Sequence, residues 1–123
     1  MAEMVKRRRR RRRLHPVPAG DVTRFRVYLA VPRRGGLLEW AAVSGGFEQA
    51  LAAQEGPALR YPHVEGERRR GKDDVAVLIL MTVYAADVAQ ALMAGWNAFV
   101  RAAGDNESRW SGESATAQVW PEP

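Results

Sequence analysis

The chain has no cysteine among its 123 residues. A disulfide framework, a thiolate metal site and a cysteine nucleophile are all excluded. Long apolar runs are missing too. The longest, Val75 to Ala86, is broken only by Thr82 and falls short of the ~18–20 residues a transmembrane helix needs. A secretory signal places an apolar segment after a basic start. Here the basic start runs into "LHPVPAGDVTRFR", which supplies none, so a cytoplasmic protein is expected. Lysine is scarce: 17 of the 19 basic residues are arginine, and only Lys6 and Lys72 are lysine. Ile79 is the single isoleucine. Abundant Ala, Gly, Arg and Pro match GC-rich codons, which explain the arginine preference as well as bidentate phosphate binding does.

The net charge of +5 is unevenly divided. Residues 1 to 20 hold eight Lys+Arg against one Glu, a net +7. That leaves eleven Lys+Arg and thirteen Asp+Glu for residues 21 to 123, a net −2. The high isoelectric point therefore describes a tail and not the body. Residues 1 to 20 combine like charge with low hydrophobicity and are expected to be a disordered Arg-rich arm. Pro16, Pro18 and Gly20 lead into a single α+β domain over 21–123.

"TRFRVYLAV" sets Phe25, Val27, Leu29 and Val31 on one face and Arg24, Arg26, Tyr28 and Ala30 on the other, the period of a strand. "PRRGG" then reads as a turn. "LLEWAAVSGGFEQALAAQ" fits a helix with the stripe Leu37, Leu38, Ala41, Phe47, Ala50, Leu51 and Gln54, although Gly45 and Gly46 interrupt it. A rival reading makes "LLEWAAVS" a strand and leaves only Phe47 to Gln54 helical. "ALRYPHVEGE" is an edge strand, since Pro62 lacks a donor. "RRRGKDD" is a hairpin tip, and "DVAVLILMTVYA" is the strongest strand. "ADVAQALMAGWNAFVRAAG" is the best helix, with Asp87 as N-cap, Gly104 as C-cap and the stripe Val88, Leu92, Trp96, Phe99, Val100 and Ala103. "ATAQVW" gives a last strand before Pro121.

The order β-α-β-β-α-β is that of the ferredoxin-like α+β sandwich: a four-stranded antiparallel sheet with two helices on one face. The fold serves many chemistries and names none. Its first and third strands are central. The third is apolar on both sides, with Val75, Val77, Ile79, Met81 and Val83 on one and Ala76, Leu78, Leu80 and Tyr84 on the other. A strand of that kind is covered on both faces. The helices cover one face, so a homodimer or higher oligomer is expected through the helix-free face.

Chemical motifs are sparse. "GERRRGKD" has the spacing of a phosphate loop, but Asp73 stands where Ser or Thr should hold Mg²⁺, and a strand follows where a helix is required. His63, Glu65 and Glu67 alternate on a strand and read as its wet face more readily than as a metal site. Ser44, Ser108, Ser111 and Ser114 have no neighbouring histidine to activate them. "RRGG" is a single RGG triplet, and the third strand lacks the aromatic platform of RNA-binding sheets. No catalytic residue, metal or cofactor is expected. Trp40 and Trp96 read as core; Trp110 and Trp120 as packing or partner anchors.

The arm remains. Lys6, Arg7, Arg8, Arg9, Arg10, Arg11, Arg12 and Arg13 are the candidate nucleic-acid-binding residues, attracting phosphate without reading sequence. The leading expectation is a small non-enzymatic, self-associating protein whose arm contacts nucleic acid nonspecifically. The alternative is a homo-oligomeric interaction or small-ligand module in which the arm is incidental. A third possibility sets the start at Val22, immediately before the first strand, through a GTG codon, so that residues 1–21 are absent from the native protein.

Overall fold

The computed structural model describes residues 21–68, 74–104 and 109–123. The candidate nucleic-acid-binding residues Lys6–Arg13, and residues 69–73 of the phosphate-loop-like stretch, lie outside them. Four strands and two long helices follow in the order β1 (Thr23–Arg34), α1 (Leu37–Ala52), β2 (Leu59–Arg68), β3 (Asp74–Ala85), α2 (Val88–Ala103) and β4 (Thr116–Pro121), with a short 3-10 turn at Gly112–Ser114. The strands form one antiparallel sheet in the order β2-β3-β1-β4, the ferredoxin-like arrangement.

The two-residue period of β1 and β3 decides which face carries the core. Val27, Leu29, Val31, Val75, Val77, Ile79, Met81 and Val83 are all fully buried, and α1 and α2 lie over them. The register Val27↔Met81, Leu29↔Ile79 and Val31↔Val77 stacks these residues side by side on that face.

The stripe on α1 is rotated from the one expected. Phe47 and Leu51 are buried as anticipated and Trp40 joins them, while Leu37 and Leu38 are 42% and 89% exposed. Spacings of seven and four keep Trp40, Phe47 and Leu51 on one side of a 3.6-residue helix. That side carries two aromatic rings and covers more apolar surface than the Leu37–Leu38 side would. Both edges of β1 are taken, by β3 and β4, and Leu37–Ala52 is one continuous helix, so "LLEWAAVS" is helical and not a strand.

On α2 the buried residues are Ala91, Gly95, Ala98 and Phe99; Val88 and Val100 are about half exposed. Closeness explains this. A Cβ on Gly95 would stand 2.8 Å from Val27 Cγ1, so the helix rests on the sheet through its small residues. Asp87 caps the helix as expected, its Oδ1 accepting from the Gln90 N–H at 2.8 Å, and Gly104 closes the other end.

Candidate functional site

Two regions stand out, one on each side of the sheet. On the helix-free side the strand register sets side chains in rows. One row runs Arg60, Thr82, Arg26, Trp120; the next His63, Leu80, Tyr28, Gln118; the next Glu65, Leu78, Ala30, Thr116. The middle of this face is apolar: Leu78 and Leu80 beside Ala30 and Tyr28, with Ala76 and Pro32 following. Every one of these except the buried Pro32 is partly exposed, where their alternate neighbours are fully buried.

The two ends of the face differ in charge. Arg24, Arg26 and Arg60 gather at one end. Glu122 lies 3.7 Å from Arg24 Nε and 3.8 Å from Arg26 Nε. Arg26 Nη1 donates to Thr82 Oγ1 at 3.3 Å, and Thr82 is almost fully buried. The Arg60 guanidinium stands 5.7 Å from the Tyr84 ring centre, and its Nε and Nη2 are buried with no hydrogen-bond acceptor among the described residues. Glu65 and Glu67 occupy the other end, on β2. His63, Glu65 and Glu67 share this face as the alternation implied, and His63 Nε2 lies 3.1 Å from Glu65 Oε2. Among the described residues no three potential metal ligands converge, and no helix is long and apolar enough to cross a membrane.

The two tryptophans left open by the sequence part company. Trp120 is 41% exposed on the helix-free face, beside Arg26. Trp110 bridges Arg33 on the helix side, and the Ser111 N–H donates to the Pro32 carbonyl at 2.9 Å. There it meets Trp40, Phe47 and Phe99 at ring-centre distances of 6.1, 5.2 and 5.0 Å.

This aromatic cluster surrounds a residue that the sequence pattern concealed. β1 runs on through Arg34, so Arg33 keeps the parity of Phe25, Val27, Leu29 and Val31 and faces the helices. It is only 3% exposed. Its guanidinium carbon lies 5.3 Å from the Trp110 ring and 5.9 Å from the Trp40 ring. Gly35, at φ +91°, turns the chain sharply enough to bring Glu39, in the first turn of α1, back beside it. Glu39 Oε2 is 3.8 Å from Arg33 Nη1, while Glu39 Oε1 is 3.3 Å from Arg109 Nη1, so two guanidinium groups share one carboxylate. Burial lowers the Arg33 pKa; Glu39 opposes that shift and Arg109 adds to it.

No family model, curated protein or solved structure matches the chain.

Proposed function

We propose that this protein is a self-associating ferredoxin-like module that pairs two copies through their helix-free sheet faces and presents their Arg-rich arms together to nucleic acid. One observation carries the pairing: β3 is apolar on both sides, and on its helix-free side Ala76, Leu78 and Leu80, with Tyr28 and Ala30 of β1, stay partly exposed while the opposite side is fully buried. An apolar sheet face of this kind marks an interface.

A second copy suits the face because its charge is split end to end. A dyad lying in the interface and exchanging the two ends sets Glu65 and Glu67 of one copy over Arg24, Arg26 and Arg60 of the other, an isologous contact. The arm reading rests on the charge division: all the excess positive charge lies in residues 1–20, and the body is mildly acidic.

Duplex DNA binding measured across salt concentrations tests both parts. The full chain should lose affinity steeply, with a log–log slope of at most about −7 per arm if all eight cations meet phosphates. Removing residues 1–20 should abolish binding, and equal binding by the truncated chain would overturn the arm's role. Leu80→Glu, which charges the helix-free face, should weaken binding by ~100-fold or more by parting the two arms. Unchanged affinity in a variant shown to be monomeric would remove the link between pairing and binding.

A further inference from the structure

Arg33 is nearly out of water, yet its bonding is poor. A guanidinium has five N–H donors. Those of Arg33 make one long hydrogen bond, from Nη1 to the Arg34 carbonyl at 3.4 Å. Its Nε is buried with no acceptor among the described residues. Its nearest carboxylate stands at 3.8 Å and is closer to Arg109. Among the described residues, two cations stand here against one anion. Buried donors without acceptors are costly; the Trp40 and Trp110 rings and the distant Glu39 carboxylate offset only part of that cost and leave Nε without an acceptor.

Beside Arg33 lies a cavity of about 160 Å³, open on one side and lined by Arg33, Trp40, Val43, Phe47, Ala102 and Trp110 among others. Apart from Arg33 these are aromatic and aliphatic side chains. An enclosed apolar cavity of ~150 Å³ holds a benzene-sized molecule; this one has that volume, with Arg33 as its polar wall and one side open to water. We propose that this cavity is a binding site for a small carboxylate on a single ring or short branched chain. The ligand's carboxylate meets Arg33, and its apolar part lies among Trp40, Phe47 and Trp110. Planar carboxylates match the guanidinium fork. The flat walls and the single buried cation both disfavour a polyanion such as phosphate. The site lies across the sheet from the face assigned above to pairing, and the proposal does not depend on that assignment.

The test uses the full chain and benzoate as probe, with benzyl alcohol as its neutral counterpart and inorganic phosphate as an anion with no apolar part. Trp40 and Trp110 line the cavity, so intrinsic tryptophan fluorescence reports its occupation. Benzoate should change the fluorescence saturably, with a Kd on the order of 1 mM or tighter for so few atoms, and should raise the melting temperature. Benzyl alcohol and phosphate should bind at least ~10-fold more weakly. Arg33→Met keeps the length of the side chain and removes its charge; it should abolish the benzoate response. Gly46→Leu provides a second variant that leaves Arg33 alone. Gly46 borders the cavity, and a side chain there starts from open space, so the variant folds and narrows the mouth. It too should lose the response, and it decides the matter if Arg33→Met fails to fold. No saturable change with benzoate, equal binding of benzyl alcohol or phosphate, or a full benzoate response in folded Arg33→Met or Gly46→Leu would each overturn the proposal.

Discussion

The indole of Trp40 lies directly over Gly66, so closely that a Cβ on Gly66 would collide with its Nε1 and Cδ1. The contact joins α1 to the edge strand β2, and it holds one wall of the Arg33 cavity in place. Gly66 is needed for space and not for its backbone angles, since its φ is not in the left-handed region. Gly66→Ala should therefore cost about 1–3 kcal/mol, the range for overfilling a packed core. Gly46, on α1, has open space where a methyl group would stand, with no neighbouring atom within 4 Å, and should behave in the opposite way. Gly46→Ala should gain about 0.5–1 kcal/mol through helix propensity. Chemical denaturation of the two variants checks the pair. Equal and small effects would mean that Trp40 moves aside freely.

At the start of α2, Asp87 holds the Gln90 N–H, and Gln90 Oε1 in turn accepts from the Ala86 N–H at 3.2 Å. Asp87→Ala should cost about 1 kcal/mol, and Asp87→Asn or Asp87→Ser should recover most of it. Thermal melts of the three variants test this, because a loss that Asn and Ser do not restore would assign the effect to charge and not to capping.

Glu39 and Arg33 should respond asymmetrically. Glu39→Gln leaves a buried guanidinium without its nearest carboxylate. A fully buried pair broken in this way loses about 3–5 kcal/mol. Glu39 is 36% exposed on its side chain, so about 1–2 kcal/mol is expected here. Arg33→Met removes the cation and its burial cost together and should be neutral or stabilising by about 1–2 kcal/mol. In the Arg33→Met background Glu39→Gln should then cost under about 0.5 kcal/mol. Equal losses in both backgrounds would show that Glu39 acts through Arg109 or the helix start instead.

The sequence was most legible where one residue type repeats at one period. Alternation in β1 and the unbroken apolar run of β3 located these strands, the element order made them central, and the lack of alternation in β3 marked its two-sided apolar character. Asp87 and Gly104 marked the ends of α2 because capping is local chemistry. Legibility failed where packing distance decides. Gly95 brings α2 down onto Val27, with Ala91 and Ala98 buried beside it, and no hydropathy pattern ranks Gly95 above Val88. Trp40 orients α1 because Gly66, distant in sequence, makes room for it. Arg33 was concealed by its neighbours: "PRRGG" has turn composition, and an arginine pair there reads as solvated. Its parity with Phe25 through Val31 was the available signal. Continuing the alternation two residues further puts Arg33 on the apolar face, where its partners Trp40, Glu39 and Trp110 come from other parts of the chain. The arm belongs to a different category, since composition and charge alone carry its reading.

Ile79 and Leu80 are adjacent in β3 and face opposite sides of the sheet. Ile79 is fully inaccessible beneath the helices, whereas Leu80 is partly exposed on the helix-free face between His63 and Tyr28. The same substitution at the two positions should therefore separate folding from pairing. Ile79→Glu buries a carboxylate with no partner in the core. Stabilities of small domains are about 5–15 kcal/mol, so this variant should not fold. Leu80→Glu sets its charge at the centre of the proposed interface, where each copy would place a carboxylate against its partner's. It should fold with a native circular dichroism spectrum and sediment as a monomer, while the wild type sediments as a dimer at micromolar concentration. The arm does not enter this comparison, because both variants retain it. A wild-type chain that stays monomeric would overturn the pairing through this face. So would a Leu80→Glu variant that remains dimeric, since no isologous contact centred on this face accommodates two facing carboxylates without loss.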